Sequence, residues 1–218
     1  MALAIFDLDN TLIQGDSDHA WGNFLVDEKI VDANVYEKAN HQFYLDYKNG
    51  ELDIDEYLNF CLKPLVQNSK ETLKALHQKF MTNVVAPMML KKAQQLLQKH
   101  RDQGDYLLII TATNEFVTAP IAKLLGVDDL IASECEMIDG NYTGKPTGIP
   151  SFQEGKITRL NEWLKTHPMN LDDSYFYSDS HNDLPLLKMV ANPIAVDADE
   201  ILTAYANENN WKIMSLRD

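Results

Sequence analysis

The chain has 218 residues, 45% of them hydrophobic and 24% charged, as in an ordinary globular protein with one compact domain or one domain plus a sizeable insertion. With 19 Lys and Arg against 33 Asp and Glu, the formal net charge is −14, which disfavours nucleic acid or an anionic membrane surface as a partner. Two cysteines, Cys61 and Cys135, are too few for a disulfide framework. The N-terminal stretch lacks a basic region followed by a long apolar one, and a cytoplasmic location is expected.

Residues 2–6, Ala-Leu-Ala-Ile-Phe, form an apolar run of the kind that makes a strand covered on both faces. Similar runs recur at Tyr106–Ile110, Tyr175–Tyr177 and Ile194–Val196, with a last strand expected near Ile213. Between them lie helical patterns. Met89, Ala93, Leu96, Leu97 and His100 precede Gly104; Leu124-Leu125-Gly126 has the form of a helix end; Ile157, Leu160 and Leu164 follow Gly155. This alternation predicts an α/β fold with a doubly wound, mostly parallel sheet, and Glu134–Lys145, with Asp139-Gly140-Asn141 at its middle, predicts a β-hairpin beside it. Residues 15–86 break the alternation: they are rich in helix formers, with polar breaks at Asn49-Gly50 and Asn68-Ser69. A segment of that length is expected to be a helical domain inserted into a core formed by 1–14 and 87–218.

In an open α/β sheet, ligands sit beyond the carboxyl ends of the strands. The first run is followed by Asp7-Leu8-Asp9-Asn10-Thr11, the second by Thr111-Ala112-Thr113-Asn114, the third by Ser178-Asp179-Ser180-His181-Asn182-Asp183. Asp7 and Asp9 emerge on one side of the strand, with Leu8 turned away. Two carboxylates so close need a cation between them or a proton. Thr111 and the backbone N–H groups after it offer an anion site, and Lys156 offers a fixed positive charge at the start of a helix. Each piece alone reads as a turn, a cap or a solvated lysine. Together, at successive strand ends, they supply carboxylate oxygens suited to Mg²⁺, a hydroxyl and a cation.

In these residues the sequence resembles the haloacid dehalogenase superfamily, whose four motifs match Asp7-Leu8-Asp9-Asn10-Thr11, Thr111, Lys156 and Asp179 with Asp183. The helical insertion resembles the cap of the subgroup that contains phosphoserine phosphatase. Gly15–Trp21 and Ile109–Asn114 resemble a bacterial branch that includes histidinol-phosphate phosphatases. The resemblance implies a Mg²⁺-dependent phosphomonoester hydrolase in which Asp7 is the nucleophile and forms an aspartyl phosphate, while Asp9 is the general acid and base. It implies Mg²⁺ held by Asp7, Asp179 and the Asp9 carbonyl, with Asp183 in support. Phosphate would lie against Thr111, Ala112, Lys156 and Asn182. Lys145, in a turn-rich hairpin exit, is the rival for the lysine role, and Lys156 is preferred because it opens an amphipathic helix.

Residues 15–86 hold 12 acidic residues, seven lysines and no arginine. A phosphorylated amino acid presents a carboxylate, for which arginine is the natural partner. Its absence from the cap predicts an amine-bearing substrate, best histidinol phosphate, met by Asp16, Asp18, His19 and Trp21. The competing structural reading makes Asp16 or Ser17 a helix cap and Trp21 core. Phosphoserine hydrolysis, phosphotransfer to another acceptor through the same intermediate, and a non-catalytic binding protein are the alternative functions.

Overall fold

The computed structural model describes residues 2–217. Among them are seven strands: β1 (Leu3–Phe6), β2 (Tyr106–Asn114), β3 (Asp129–Ile138), β4 (Asn141–Thr147), β5 (Tyr175–Ser178), β6 (Asn192–Val196) and β7 (Lys212–Met214). They form one sheet in the order β4-β3-β2-β1-β5-β6-β7, parallel throughout except for the β3/β4 pair. Side chains of β1 alternate between two cores. Ala4 and Phe6 pack with Leu97, Leu107, Ile109 and Val117; Leu3 and Ile5 pack with Leu108, Ile110, Leu160, Phe176 and Leu202. Each large side chain so buried, Leu3, Ile5 and Phe6 in β1, contributes about 1.5–3 kcal/mol, so the strand that leads into Asp7 is a rigid base.

Between β1 and β2 the chain is helical: α1 (Ser17–Asp27), α2 (Ala33–Asn49), α3 (Ile54–Cys61), α4 (Lys63–Gln67), α5 (Lys70–Phe80), a π-helical turn (Met81–Val85), α6 (Ala86–Met88) and α7 (Lys91–Asp102). Both expected breaks are helix ends. Gly50, at φ 73°, closes α2, and the Ser69 side chain accepts from Thr72 N–H to start α5. The segment shares its core with the sheet: Trp21, Phe24, Leu25, Leu76 and Phe80 belong to the same cluster as Phe6 and Leu97. Its two crossings to the sheet lie side by side, with Gln14 N–H donating to Met88 C=O at 2.8 Å and Ile13 bridged to Met89.

The remaining helices are α8 (Glu115–Leu125), α9 (Glu154–Leu164), α10 (Leu184–Leu187) and α11 (Glu200–Glu208). α7 and α8 cover one face of the sheet, whereas Leu160 of α9, Leu186 of α10 and Leu202 of α11 cover the other. The hairpin turns at Asp139 and Gly140, both at positive φ (49° and 73°), as a type I′ turn requires. Its first strand, however, begins earlier than the sequence pattern suggests: β3 starts at Asp129 and pairs with β2 before it enters the hairpin. No helix of the described residues is long and apolar enough to cross a membrane.

Candidate active site

The chain winds outward from β1 to β2 and β3 on one side and continues as β5, β6 and β7 on the other. The loops after β1, β2 and β5 therefore meet at one switch point. Asp7 leaves β1 there, its N–H donating to Tyr177 C=O of β5 at 2.9 Å, while Leu8 is fully buried. Lys156, in the first turn of α9 and only 2% exposed, donates to Asp7 Oδ1 at 2.9 Å and to Asp183 Oδ2 at 2.9 Å. Gly155 makes this approach possible, because a Cβ there would lie 2.0 Å from Pro150 C=O. Burial alone would lower the lysine, but Asp183 and Asp7 outweigh it and hold it above its ordinary range, so it is charged. Asp183 also accepts from Ser178 Oγ at 2.7 Å. Asp179 follows β5; its N–H donates to Thr11 Oγ1 at 3.0 Å, and Thr11 donates to Asp179 Oδ1 at 3.2 Å.

Burial pushes the Asp7 carboxyl up to about 7, against the pull of Lys156 and with the help of Asp183 and Asp9. The same desolvation, then Asp7 and Asp183, raise Asp179. One lysine does not neutralise three carboxylates, so the site calls for a further cation or for protons. Among the described residues no group of three or more His, Cys, Asp or Glu side chains is placed to hold a metal. Asp183 is committed to Lys156 and Ser178, which leaves Asp7 and Asp179. Two carboxylates completed by carbonyl, water and phosphate oxygens match the way Mg²⁺ is bound, and the residues present fit it.

Asp9 stands across the pocket. Its Oδ1 accepts from Ser17 N–H at 2.6 Å, and its Oδ2 accepts from Thr113 Oγ1 at 2.8 Å and, more loosely, from Thr111 Oγ1 at 3.5 Å. Burial lifts it to about 6, with Asp16 adding to the rise and the Ser17 and Thr113 bonds opposing it. A carboxyl near 6 can both give and take a proton at neutral pH.

The pocket above these groups is lined by Asp7, Asp9, Thr111, Ala112 and Thr113 from the sheet side, and by Asp16, His19, Asn40, Phe43, Tyr44, Tyr47 and Tyr57 from the helical segment. Among the described residues no lysine or arginine lines it. The free space is only ≈ 30 Å³, room for about one or two waters.

A haloacid dehalogenase-like hydrolase family model matches residues 4–188. The chain belongs to the haloacid dehalogenase-like hydrolases. It is 47% identical to a histidinol-phosphatase of Neisseria meningitidis serogroup C (strain 8013), over 99% of each chain. It is 30% identical to a phosphoserine phosphatase of Mycobacterium tuberculosis, over 99% of this chain and 71% of that one. A solved structure from Bordetella pertussis Tohama I, of a protein of unknown function, superposes with a TM-score of 0.92 at 41% identity, covering 99% of this chain and 98% of that one. This hydrolase is an enzyme of the phosphatase class.

The structure brings Asp7, Asp9, Thr111, Ala112, Lys156, Asp179 and Asp183 of the hydrolase together, and leaves Lys145 exposed on β4. Residues expected to contact substrate from α1 separate into two groups. Asp16 and His19 line the pocket, although Asp16 also caps α1, its Oδ1 accepting from Asp18 N–H and His19 N–H. Asp18 does not line it. It is buried, accepting from Tyr57 OH at 2.6 Å and from Asn114 Nδ2 at 3.3 Å. Nor does Trp21, which is core, packed among Phe24, His77, Phe80 and Phe116: it falls on the α1 face turned toward α5 and α8. Asn182 is engaged elsewhere than on phosphate. Its amide donates to Tyr47 C=O at 2.9 Å and accepts from Gln153 Nε2 at 3.0 Å. Sequence reasoning missed the aromatic wall of Phe43, Tyr44, Tyr47 and Tyr57. The spacing of Phe43, Tyr44 and Tyr47 along one helical face was the available signal.

Proposed function

We propose that the enzyme hydrolyses a small amine-bearing phosphomonoester, best histidinol phosphate, with residues 15–86 acting as a cap over the site. The observation that carries this reading is the leaving-group side of the pocket: Asp16 with the rings of His19, Phe43, Tyr44, Tyr47 and Tyr57, and, among the described residues, no lysine or arginine in its lining, with Lys48 and Arg217 in the neighbouring cavity that shares Tyr44 and Tyr47. An amine is matched by Asp16 and by the aromatic faces, and a heteroaromatic ring by stacking. The name carried by the Neisseria relative supports the same substrate.

Asp7 is the nucleophile of this proposal. Its carboxylate forms a bond to phosphorus as the bond to the leaving oxygen breaks, and Asp9 delivers its proton to that oxygen. Asp9 then takes a proton from water as the water oxygen attacks phosphorus; the Asp7–phosphorus bond breaks and phosphate leaves. Lys156 pulls Asp7 toward its ionised form and aligns it. Thr111 and the N–H groups after β2 receive equatorial oxygens of the phosphoryl group. Asp7, Asp179 and the Asp9 carbonyl would hold Mg²⁺, which supplies charge neutralisation of the phosphoryl oxygens when bound. In this reading the cap opens to admit substrate, and the small free space over the site supports it. A reducing cytoplasm suits its two buried, unpaired cysteines.

A panel of phosphomonoesters assayed with Mg²⁺ tests the substrate. Histidinol phosphate is expected to show the highest kcat/KM, with phosphoserine at least about tenfold lower, the factor that one unmatched ionic contact costs. A higher kcat/KM for phosphoserine would overturn the reading of the cap.

A further inference from the structure

The side-chain hydrogen bonds of Asn182 tie together the end of α2, the turn after β5 and the residue that precedes α9. Its side chain is 3% exposed. The amide nitrogen donates to Tyr47 C=O, in the last turn of α2, a carbonyl that also accepts Gly50 N–H at 3.1 Å. The amide oxygen accepts from Gln153 Nε2 at 3.0 Å. A carbonyl can only accept, so the orientation of the amide is fixed. Gly50, just past the end of α2, sits on the same turn: a Cβ there would come 3.0 Å from His181 Nε2 and 3.6 Å from Asn182 Oδ1. Tyr47 also faces Phe152, ring centres 6.0 Å apart.

Gln153 adopts φ 47° and ψ −121° immediately before α9, a conformation that costs a glutamine of order 1–3 kcal/mol and suits glycine. A long side chain persists there and is spent on Asn182. Three residues further on is Lys156. On the other side of Asn182 is Asp183, which holds Lys156. One short turn thus grips the cap with Asn182 and the catalytic-site lysine with Asp183.

We propose that Asn182 and Gln153 are positioning residues which form a latch: cap closure, sensed at Tyr47 C=O, is carried through Asn182 and Gln153 to the first turn of α9 and so to Lys156. This rests on the phosphatase reading of the site, and it gives Asn182 a place on the cap side of the reaction. With the cap open, Asn182 loses its partner in α2 and Gln153 is freed to relax. With the cap shut, the strained turn is held and Lys156 is aligned on Asp7.

Hydrogen exchange read by mass spectrometry, without substrate, tests the latch apart from any activity. Asn182→Ala is expected to speed exchange of residues 44–50 by about tenfold, the effect of losing roughly one hydrogen bond, while β1 and β2 exchange as in the parent. Gln153→Gly, which removes the side chain and suits the backbone, is expected to raise exchange in the same segment. In steady-state assays each variant is expected to lower kcat/KM for the preferred phosphomonoester by about tenfold, and the double variant no further than either alone. Unchanged exchange at 44–50 in Asn182→Ala overturns the latch, as do additive effects in the double variant. A loss of kcat with unchanged exchange would return Asn182 to a phosphate contact. If Asn182→Ala does not fold, Gln153→Gly decides by the same exchange readout. A parent with no phosphatase activity would refute the proposed function and leave the exchange result standing.

Discussion

Asp18 shows how a buried carboxylate can shape a pocket that it does not enter. Its Oδ2 receives Tyr57 OH at 2.6 Å, and Tyr57 lines the pocket, so Asp18 sets the position of one aromatic wall. Burial raises Asp18 from 3.8 to about 6, opposed by the Tyr57 bond. Between those two values the folded protein binds more protons than the unfolded chain, so this group's contribution to stability is full below about 4 and is lost as pH rises to about 6. Asp18→Asn removes the titration. In urea unfolding, the difference in stability between variant and parent is expected to shift by about 1–3 kcal/mol in the variant's favour from pH 4 to pH 7, since other raised carboxyls are common to both. Parallel pH profiles would refute this. At this scale the sequence was legible where a residue's role depends on its own strand end. Asp7, Asp9 and Thr111 follow apolar runs and Lys156 opens a helix, and the structure gathers them. Asp18, Trp21 and Asn182 were not legible in the same way, because their partners, Tyr57, Phe80 and Tyr47, lie on other elements and arrive only through tertiary packing.

The elements that hold the site rest on local backbone requirements. α9 can bring Lys156 to Asp7 because Gly155 lets its first turn pass under Pro150 C=O. In Gly155→Ala the added methyl meets backbone, which has no rotamer to escape into. The variant is expected to lose about 1–3 kcal/mol of stability and to lose activity disproportionately as Lys156 is displaced, measured by thermal unfolding alongside kcat. Parent-like stability and kcat would contradict the geometry. Strands β1, β2, β5 and β6 are readable as uniform apolar runs because helices cover both faces of the sheet. The start of β3 is not: it opens on Asp129, which accepts from Trp163 Nε1 at 2.6 Å, and its pairing with β2 is masked by the hairpin that follows. The helix breaks at Gly50 and Ser69 could be read from the residues alone, whereas the π-helical turn at Met81–Val85 left no sequence signature.

Across the whole molecule, the net charge of −14 acquires a location. Asp7, Asp9, Asp16, Asp179 and Asp183 converge on one switch point with a single buried lysine between them, and desolvation lifts Asp7, Asp9, Asp16 and Asp179 above the ordinary carboxylate range. Such a cluster is costly unless it is used, and the proposed phosphoryl transfer would use it: Asp7 as nucleophile, Asp9 as proton carrier, and the excess negative charge as an attraction for a divalent cation. The helical segment lines the pocket with rings and with Asp16. Everything in the proposed mechanism turns on Asp7 forming a bond to phosphorus. Acid-quenching the enzyme during turnover of a phosphomonoester with Mg²⁺ and mapping the phosphoryl group by mass spectrometry tests that directly. Phosphate on the peptide containing Asp7 in the parent, with no adduct and only background turnover in Asp7→Asn, is the expected result; turnover that survives Asp7→Asn would contradict it.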